Sequence, residues 1–139
     1  MNELQSQIEK LKEKIAPGWM QVIQVDEGWH QLVIDCDREL SLFDPHYKIL
    51  QIKEKFGGLR YYIKPSETCY EPRRLHDIIA KYEEIAAKTC EATGKPGVLM
   101  KSIGGWYKTL NLEYAASTLH YAKYSEVNKA TKDLSLIHI

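Results

Sequence analysis

Gln51-Ile-Lys-Glu-Lys-Phe-Gly-Gly-Leu-Arg-Tyr-Tyr-Ile63 is the stretch that decides the fold of this chain. A strand, a turn around Phe56-Gly57-Gly58 and a second strand follow one another, which predicts a β-hairpin. Successive side chains alternate across a strand, so the second strand has an apolar side and a polar side. The apolar side holds Leu59, Tyr61 and Ile63, and the polar side holds Arg60, Tyr62 and Lys64.

Further elements are predicted on both sides of this hairpin. They are a helix over 2–15, strands over Trp19–Val25 and Trp29–Cys36, hairpin strands over Lys48–Lys53 and Leu59–Lys64, a helix from Pro72 to Ala92, strands over Val98–Ser102 and Trp106–Leu110, and a helix from Asn111 to Lys132. Asp26-Glu27-Gly28 indicates a hairpin turn, and Asp37–Tyr47 a polar loop. This order predicts one α+β domain over 1–133, with an antiparallel sheet of about four to six strands covered by N-terminal, central and C-terminal helices.

The N-terminal helix carries a narrow apolar stripe. Its members are Leu4, Ile8, Leu11 and Ile15. Spacings of four, three and four place them on one helical face, and Pro17-Gly18 ends the helix. The stripe either packs within the chain or pairs with a second copy. We expect a homo-oligomer.

Composition limits the classes of function. The 139 residues contain 19 Lys and Arg and 19 Asp and Glu, so the net charge is zero. Non-specific duplex-DNA binders are normally basic, which makes nucleic acid an unfavoured partner. No apolar run approaches the ~20 residues that span a bilayer, and the polar N-terminus is no signal peptide. We therefore expect a soluble, cytoplasmic protein without a membrane partner.

Two features concern the cysteines and the C-terminus. Cys36, Cys69 and Cys90 are odd in number and irregularly spaced, which argues against a secreted disulfide framework. The last six residues, Leu134-Ser-Leu-Ile-His-Ile139, match the translation of a transposase adapter end. We expect residues 134–139 to be a non-native tail.

The hairpin and a later ribbon resemble a family of small, mostly uncharacterised phage and prophage proteins. The ribbon reads Cys90-Glu-Ala-Thr-Gly-Lys-Pro-Gly97 and later Gly104-Gly-Trp-Tyr-Lys-Thr-Leu110. That family shares a VKEKFGGLRFY hairpin and the patterns Cys-Glu-x-Cys-Gly-x-Pro-Gly and Trp-Tyr-x-Thr-Leu-Cys, which imply a zinc ribbon. Here Thr93 and Asn111 stand at cysteine positions, so only Cys90 is left of a set that needs about four ligands. We expect no metal and no cofactor.

No catalytic constellation is apparent, and we expect no enzymatic activity. The histidines are scattered, and no nucleophile elbow is present. Asp35-Cys36-Asp37 would place two carboxylates on one side of a strand end, which suits a divalent ion or simply a strand entering a polar loop. Gly57-Gly58 is not followed by a helix, so it indicates a hairpin turn instead of a phosphate loop.

The candidate binding surface is basic and aromatic. Its members are Lys53, Lys55, Arg60, Tyr62, Lys64, Arg73, Arg74, Trp106, Tyr107 and Lys108. Guanidinium and ammonium groups bind phosphate, and aromatic faces stack on bases. The alternative is the solvated side of a sheet, where lysine stems cover aromatic rings.

The resemblance implies a counter-defence protein in the cytoplasm of an infected or lysogenic bacterium. We expect it to bind and sequester a small anionic nucleotide, such as a cyclic ADP-ribose isomer or a cyclic oligonucleotide. One rival is an interaction module that docks on and inhibits a host protein. Another is a nucleic-acid-binding accessory protein with a degenerate zinc ribbon.

Overall fold

The computed structural model describes residues 2–117 and 124–127. Four α-helices lie within these ranges: α1 (Glu3–Leu11), α2 (His30–Phe43), α3 (Pro72–Ala86) and α4 (Leu112–Ser117). Six strands lie there too: β1 (Ile23–Gln24), β2 (Lys48–Lys55), β3 (Gly58–Lys64), β4 (Val98–Ser102), β5 (Tyr107–Leu110) and β6 (Tyr124–Glu126). The α+β class is confirmed. None of the described helices is long and apolar enough to cross a membrane.

The strands form two sheets of three. The first sheet has the order β1-β2-β3, with β1 parallel to β2 and β2 antiparallel to β3. The predicted hairpin is confirmed, and its turn consists of Phe56 and Gly57, with φ of 54° and 81°. Two successive positive φ values are typical of the tight turns that match strand twist, and glycine adopts them at little cost. The second sheet is antiparallel, with the order β5-β4-β6.

The main core lies between the first sheet and helices α1, α2 and α3. Ile49 and Ile52 of β2 and Leu59 of β3 contribute to it with no solvent exposure. The apolar stripe of α1 also lies in this core, with Ile8, Leu11 and Ile15 at 5% exposure or less. The chain's own residues therefore cover the stripe, and an oligomer built on it is no longer supported.

The predictions of a strand over Trp29–Cys36 and a loop over Asp37–Tyr47 are wrong, because α2 occupies most of that range. The hairpin turn predicted at Asp26-Glu27-Gly28 is wrong too, because a 3-10 helix over Glu27–Trp29 leads into α2. Trp29, Val33, Cys36 and Leu40 are all fully buried. Their spacings of four, three and four are helical, but β-branched and aromatic residues around them favoured a strand. Asp35 and Asp37 consequently do not share a side: Asp35 binds Arg38 and Gln31, whereas Asp37 binds Lys14.

Two predicted helices end earlier than expected. Helix α3 begins at Pro72 as predicted but ends at Ala86 instead of Ala92. The chain then enters the first part of the ribbon, where the Cys90 N–H donates to the Lys95 carbonyl and the Gly94 N–H donates to the Cys90 carbonyl. The final helix begins after Asn111 as predicted, yet its described part ends at Ser117 and 124–126 are a strand. The expected tail lies outside the described residues.

The second sheet lies against the hairpin turn and the start of α2. The hydroxyl of Thr109 donates to the Gly57 carbonyl at 2.7 Å. The indole N–H of Trp29 donates to the Thr89 carbonyl at 2.8 Å. A Cβ at Gly28 would lie 2.3 Å from the Cys90 carbonyl oxygen, so only glycine allows this close approach. These contacts hold the two sheets together at the hairpin end of the molecule.

Candidate functional site

One face of the first sheet is strongly basic. It is the face opposite the core, and we define the basic face by its five cationic residues: Lys48, Lys53, Lys55, Arg60 and Lys64. Neutral residues complete it, namely Gln24, Gln51 and Tyr62. Among the positions of β1, β2 and β3 that form this face, none is acidic. The neutral net charge of the chain thus hides a segregation of charge.

The cations lie in rows across β2 and β3. Lys53 pairs with Arg60 in register, and Lys48 pairs with Lys64. A β-bulge between Ile49 and Gln51 reverses the alternation, and it brings Lys48 to the same face as Lys53. Simple alternation from Lys53 would have placed Lys48 on the core side. The sequence-based set therefore missed Lys48.

Arg60 lies along its own strand towards the turn. Its Nη1 donates to the Leu59 carbonyl at 3.2 Å, and a Cβ at Gly58 would approach that nitrogen to 2.9 Å. The two glycines therefore have different roles. Gly57 adopts the positive φ of the turn, and Gly58 lacks a Cβ that would crowd the Arg60 guanidinium. Burial raises the pKa of Glu83 on α3, although the charge of Arg60 opposes this shift.

None of the five cations of the basic face forms an ion pair within residues 2–117 and 124–127. The ion pairs of the same ranges use other lysines and arginines, such as Lys14 with Asp37 and Lys81 with Glu39. Like charges on neighbouring strands repel each other. Glu83 is near enough for its charge to interact with that of Arg60, but a cluster of five cations without an ion pair still favours an external anion as its partner.

A cleft adjoins the basic face at the hairpin turn. It measures about 610 Å³ and lies between the turn and the β4–β5 hairpin. The cleft brings together four of the predicted residues: Lys55, Trp106, Tyr107 and Lys108. Trp106 is 75% exposed, and Phe56, which the sequence-based set omitted, is 69% exposed across the cleft. Lys55 links both regions, because its Nζ lies 5.7 Å from the centre of the Phe56 ring.

Lys108 is already neutralised by two carboxylates. Its Nζ lies 3.2 Å from Glu91 and 3.4 Å from Asp26. Burial lowers the pKa of Lys108, but Glu91 and Asp26 more than compensate and raise it. Burial raises the pKa of Glu91, although the hydrogen bond from the Asp26 N–H and the charge of Lys108 act to lower it. Lys108 therefore has a structural partner and contributes little free charge to a ligand.

Arg73 and Arg74 lie apart from the other predicted residues. Both are in the first turn of α3, the helix that covers the core side of the first sheet. The guanidinium of Arg74 lies 5.5 Å from the centre of the Phe43 ring on α2. No contact joins either arginine to the basic face or to the cleft in the described part of the chain.

The ribbon is held by hydrogen bonds around Asn111 and Cys90. The Asn111 side chain donates to the Pro96 carbonyl at 3.0 Å and accepts from the Tyr114 N–H at 3.2 Å. Burial would raise the pKa of Cys90, but hydrogen bonds from Thr93, Asn111 and Ala92 lower it. Among the described residues, no group of three or more His, Cys, Asp and Glu could hold a metal ion.

Comparison of the chain with protein-family models, with curated proteins and with solved structures finds no match.

Proposed function

We propose that this protein binds a phosphate-bearing nucleotide on the basic face. The proposal depends mainly on one observation: five cations share one face of the first sheet, namely Lys48, Lys53, Lys55, Arg60 and Lys64. No strand position of that face is acidic, and within residues 2–117 and 124–127 none of the five forms an ion pair. A phosphate group would neutralise these charges, and Arg60 can donate two parallel hydrogen bonds to it.

Exposed aromatic rings favour a nucleotide over a simple phosphate. Tyr62 lies between the two rows of cations and is 43% exposed. Phe56 and Trp106 lie at the end of the face, at the cleft. Base stacking on an aromatic side chain contributes roughly 1–3 kcal/mol per base. A ligand with both phosphate and base would use both kinds of side chain.

The resemblance to phage and prophage proteins supports a counter-defence role for this binding. In that role the nucleotide is an immune signal of the bacterial host, and the protein lowers its free concentration. Sequestration requires binding alone, which agrees with the expectation that the protein is not an enzyme.

Docking on another protein is the second candidate function. It is favoured by three exposed apolar side chains at the two hairpin turns: Phe56 at 69%, Ile103 at 80% and Trp106 at 75% exposure. Exposed apolar patches often mark protein-interaction sites. This function would depend on the apolar side chains and leave the basic face unused.

Thermal-shift measurements with a panel of nucleotides and nucleotide second messengers test the proposed function. A ligand at a hundred times its dissociation constant stabilises the folded state by about 2.7 kcal/mol. Arg60→Ala should abolish or strongly weaken this shift, because a charge-assisted hydrogen bond contributes ~1.5–3 kcal/mol. Its melting temperature without ligand should change little.

Lys10→Ala is the matched control, because Lys10 is an exposed cation on α1, away from the sheet. It should leave nucleotide binding intact. The proposal fails if no nucleotide shifts the wild-type protein, or if Arg60→Ala and Lys10→Ala affect binding equally. An Arg60→Ala protein that unfolds would be replaced in the test by Lys53→Ala, which removes the partner in the same row.

A further inference from the structure

We infer that the ligand of the basic face is a single-stranded oligonucleotide that follows β2 and β3 from the hairpin turn to the far end of the sheet. This inference rests on the proposed function and specifies its ligand. The relevant features are the length of the charged face, the position of its aromatic rings and its open shape.

The charged face is too long for a mononucleotide. Lys55 lies next to the turn, and Lys48 lies seven residues away along β2. At ~3.4 Å per residue this distance is ~24 Å. The row of Lys53 and Arg60 lies one two-residue step from Lys55. A mononucleotide can reach one row of cations, whereas a strand of several phosphates can reach every row.

The spacing also suits a short strand. A stacked strand advances ~3.4 Å per nucleotide, so ~24 Å corresponds to about seven nucleotides, and fewer when the strand is extended. Single-strand-binding surfaces commonly cover a similar number of nucleotides. The occupant is therefore an oligonucleotide of about four to seven nucleotides.

The aromatic side chains select unpaired bases. Tyr62 lies within the face, and Phe56 and Trp106 lie at its turn end. In a duplex the base faces are stacked on one another, so these rings could not reach them. In a single strand the faces are free, and stacking on aromatic side chains is tolerant of sequence. The combination of rings with a basic track favours the single strand over the duplex.

Charge complementarity identifies the occupant as a polyanion instead of an acidic peptide or a second copy of this chain. The face carries five positive charges, and three uncharged side chains, Gln24, Gln51 and Tyr62, complete it. The strongly exposed apolar side chains near it, Phe56 and Trp106, lie at its turn end, whereas a protein interface is normally centred on an apolar core. A second copy would bring an equally basic face to this one and would be repelled.

Binding of labelled oligothymidylates by fluorescence anisotropy tests the inference, with the full-length protein. The probes are thymidine monophosphate, a cyclic dinucleotide, dT2, dT4 and dT8, with dT8 annealed to its complement as the duplex arm. We expect affinity to rise steeply from dT2 to dT8 and to fall for the duplex. For dT8, the logarithm of the association constant should fall with the logarithm of salt concentration with a slope of about −3.5, since each of five contacts contributes about −0.7.

A variant at the far end of the face provides the second measurement. Lys48→Ala should reduce the salt slope for dT8 by about 0.7 and weaken dT8 binding by roughly three- to tenfold. It should not change the affinity for thymidine monophosphate, because such a ligand needs only one row of cations. Lys10→Ala, the exposed cation on α1, should change neither quantity.

The outcomes separate this inference from the proposed function. If thymidine monophosphate or the cyclic dinucleotide binds as tightly as dT8, the proposed function stands and the assignment of the ligand as an oligonucleotide is wrong. A duplex that binds as tightly as dT8 would overturn the single-strand assignment. If no probe binds but a nucleotide of the thermal-shift panel does, the inference fails and the proposed function stands. If nothing in either experiment binds, both fail.

Discussion

The ammonium group of Lys108 lies 3.2 Å from the Oε1 atom of Glu91, a carboxylate on a residue that is only 1% exposed. The Asp26 N–H donates to the other oxygen of Glu91 at 3.0 Å. Asp26 precedes α2, which packs in the main core, and Lys108 belongs to β5. By binding both residues, Glu91 connects the main core with the second sheet. A buried carboxylate in this position depends on its partners to compensate for the loss of water.

Lys108→Met should therefore destabilise the protein. Removal of one partner leaves Glu91 buried with a single backbone donor, and such losses typically cost ~3–5 kcal/mol for a fully buried pair. Lys108 is 31% exposed, so we expect about 2–3 kcal/mol. The free energy of unfolding from urea denaturation measures the effect.

The double variant Lys108→Met with Glu91→Gln provides the control. It removes the unpaired charge, so it should recover part of the stability that Lys108→Met loses. A single variant as stable as the wild type would show that Lys108 is not the partner of a buried charge.

Leu11→Ala should lower stability without changing the molecular mass in solution. Leu11 is 3% exposed and packs in the core of its own chain. Truncation of a buried leucine typically costs ~2–5 kcal/mol. Leu42→Ala is a matched control, because Leu42 is 82% exposed and should change stability by less than ~0.5 kcal/mol. A fall in mass by light scattering for Leu11→Ala alone would restore the idea of assembly through α1.

Local chemistry explains which elements were predictable. The hairpin over Lys48–Lys64 combines a two-residue turn with alternating strands, so its signal is contained within a few residues. The α2 helix has an equally regular burial pattern, from Trp29 to Leu40, but its composition resembles a strand. Burial against α1 and α3 decides in favour of the helix, and this tertiary contribution cannot be read from a local window.

The candidate site was predictable only in part, for the same reason. Alternation correctly placed Arg60, Tyr62 and Lys64 on one face. The bulge between Ile49 and Gln51 adds Lys48 to that face, although alternation from Lys53 predicts it on the core side. Lys108 was selected as a basic residue near Trp106, and its partner Glu91 is 17 residues away in the chain. Bulges and long-range ion pairs depend on the folded backbone, so sequence periodicity does not reveal them.

Asp44→Asn should reduce stability at neutral pH by about 2 kcal/mol, because hydrogen bonds to a charged group contribute ~1.5–3 kcal/mol. The Asp44 carboxylate accepts from the Ser66 N–H at 2.9 Å and from its hydroxyl at 2.6 Å. Burial would raise the pKa of Asp44, but hydrogen bonds from Ser66, His46 and Cys69 outweigh burial and lower it.

The sign of the pH dependence follows from that lowered pKa. The stabilisation is complete above the ordinary value of 3.8 and is lost as the pH falls through the lower pKa of the folded state. The difference in unfolding free energy between wild type and Asp44→Asn should thus shrink below pH 3.8. Asp77→Asn, at an exposed position of α3, is the control and should change the free energy of unfolding at neutral pH by less than ~0.5 kcal/mol. A difference that grows on acidification would contradict the expectation.

The ribbon should fold without metal. Thr93 and Asn111 donate hydrogen bonds to Cys90, and the Asn111 side chain links Pro96 to the start of α4. Elemental analysis of protein purified without added zinc should find no stoichiometric metal. A chelator should leave the melting temperature unchanged. One equivalent of tightly bound zinc would disprove this prediction.

Phe56→Ala and Trp106→Ala should separate nucleotide binding from protein docking. Both side chains are more than two-thirds exposed, so each substitution should change stability by less than ~0.5 kcal/mol. If bases stack on these rings, each variant should lose ~1–3 kcal/mol of binding free energy for dT8, measured by anisotropy. Ile103→Ala is the control, because Ile103 is 80% exposed near the same turn but has no ring. Equal affinity for dT8 in all three variants would exclude stacking at the turns, and it would leave these apolar side chains to the docking function.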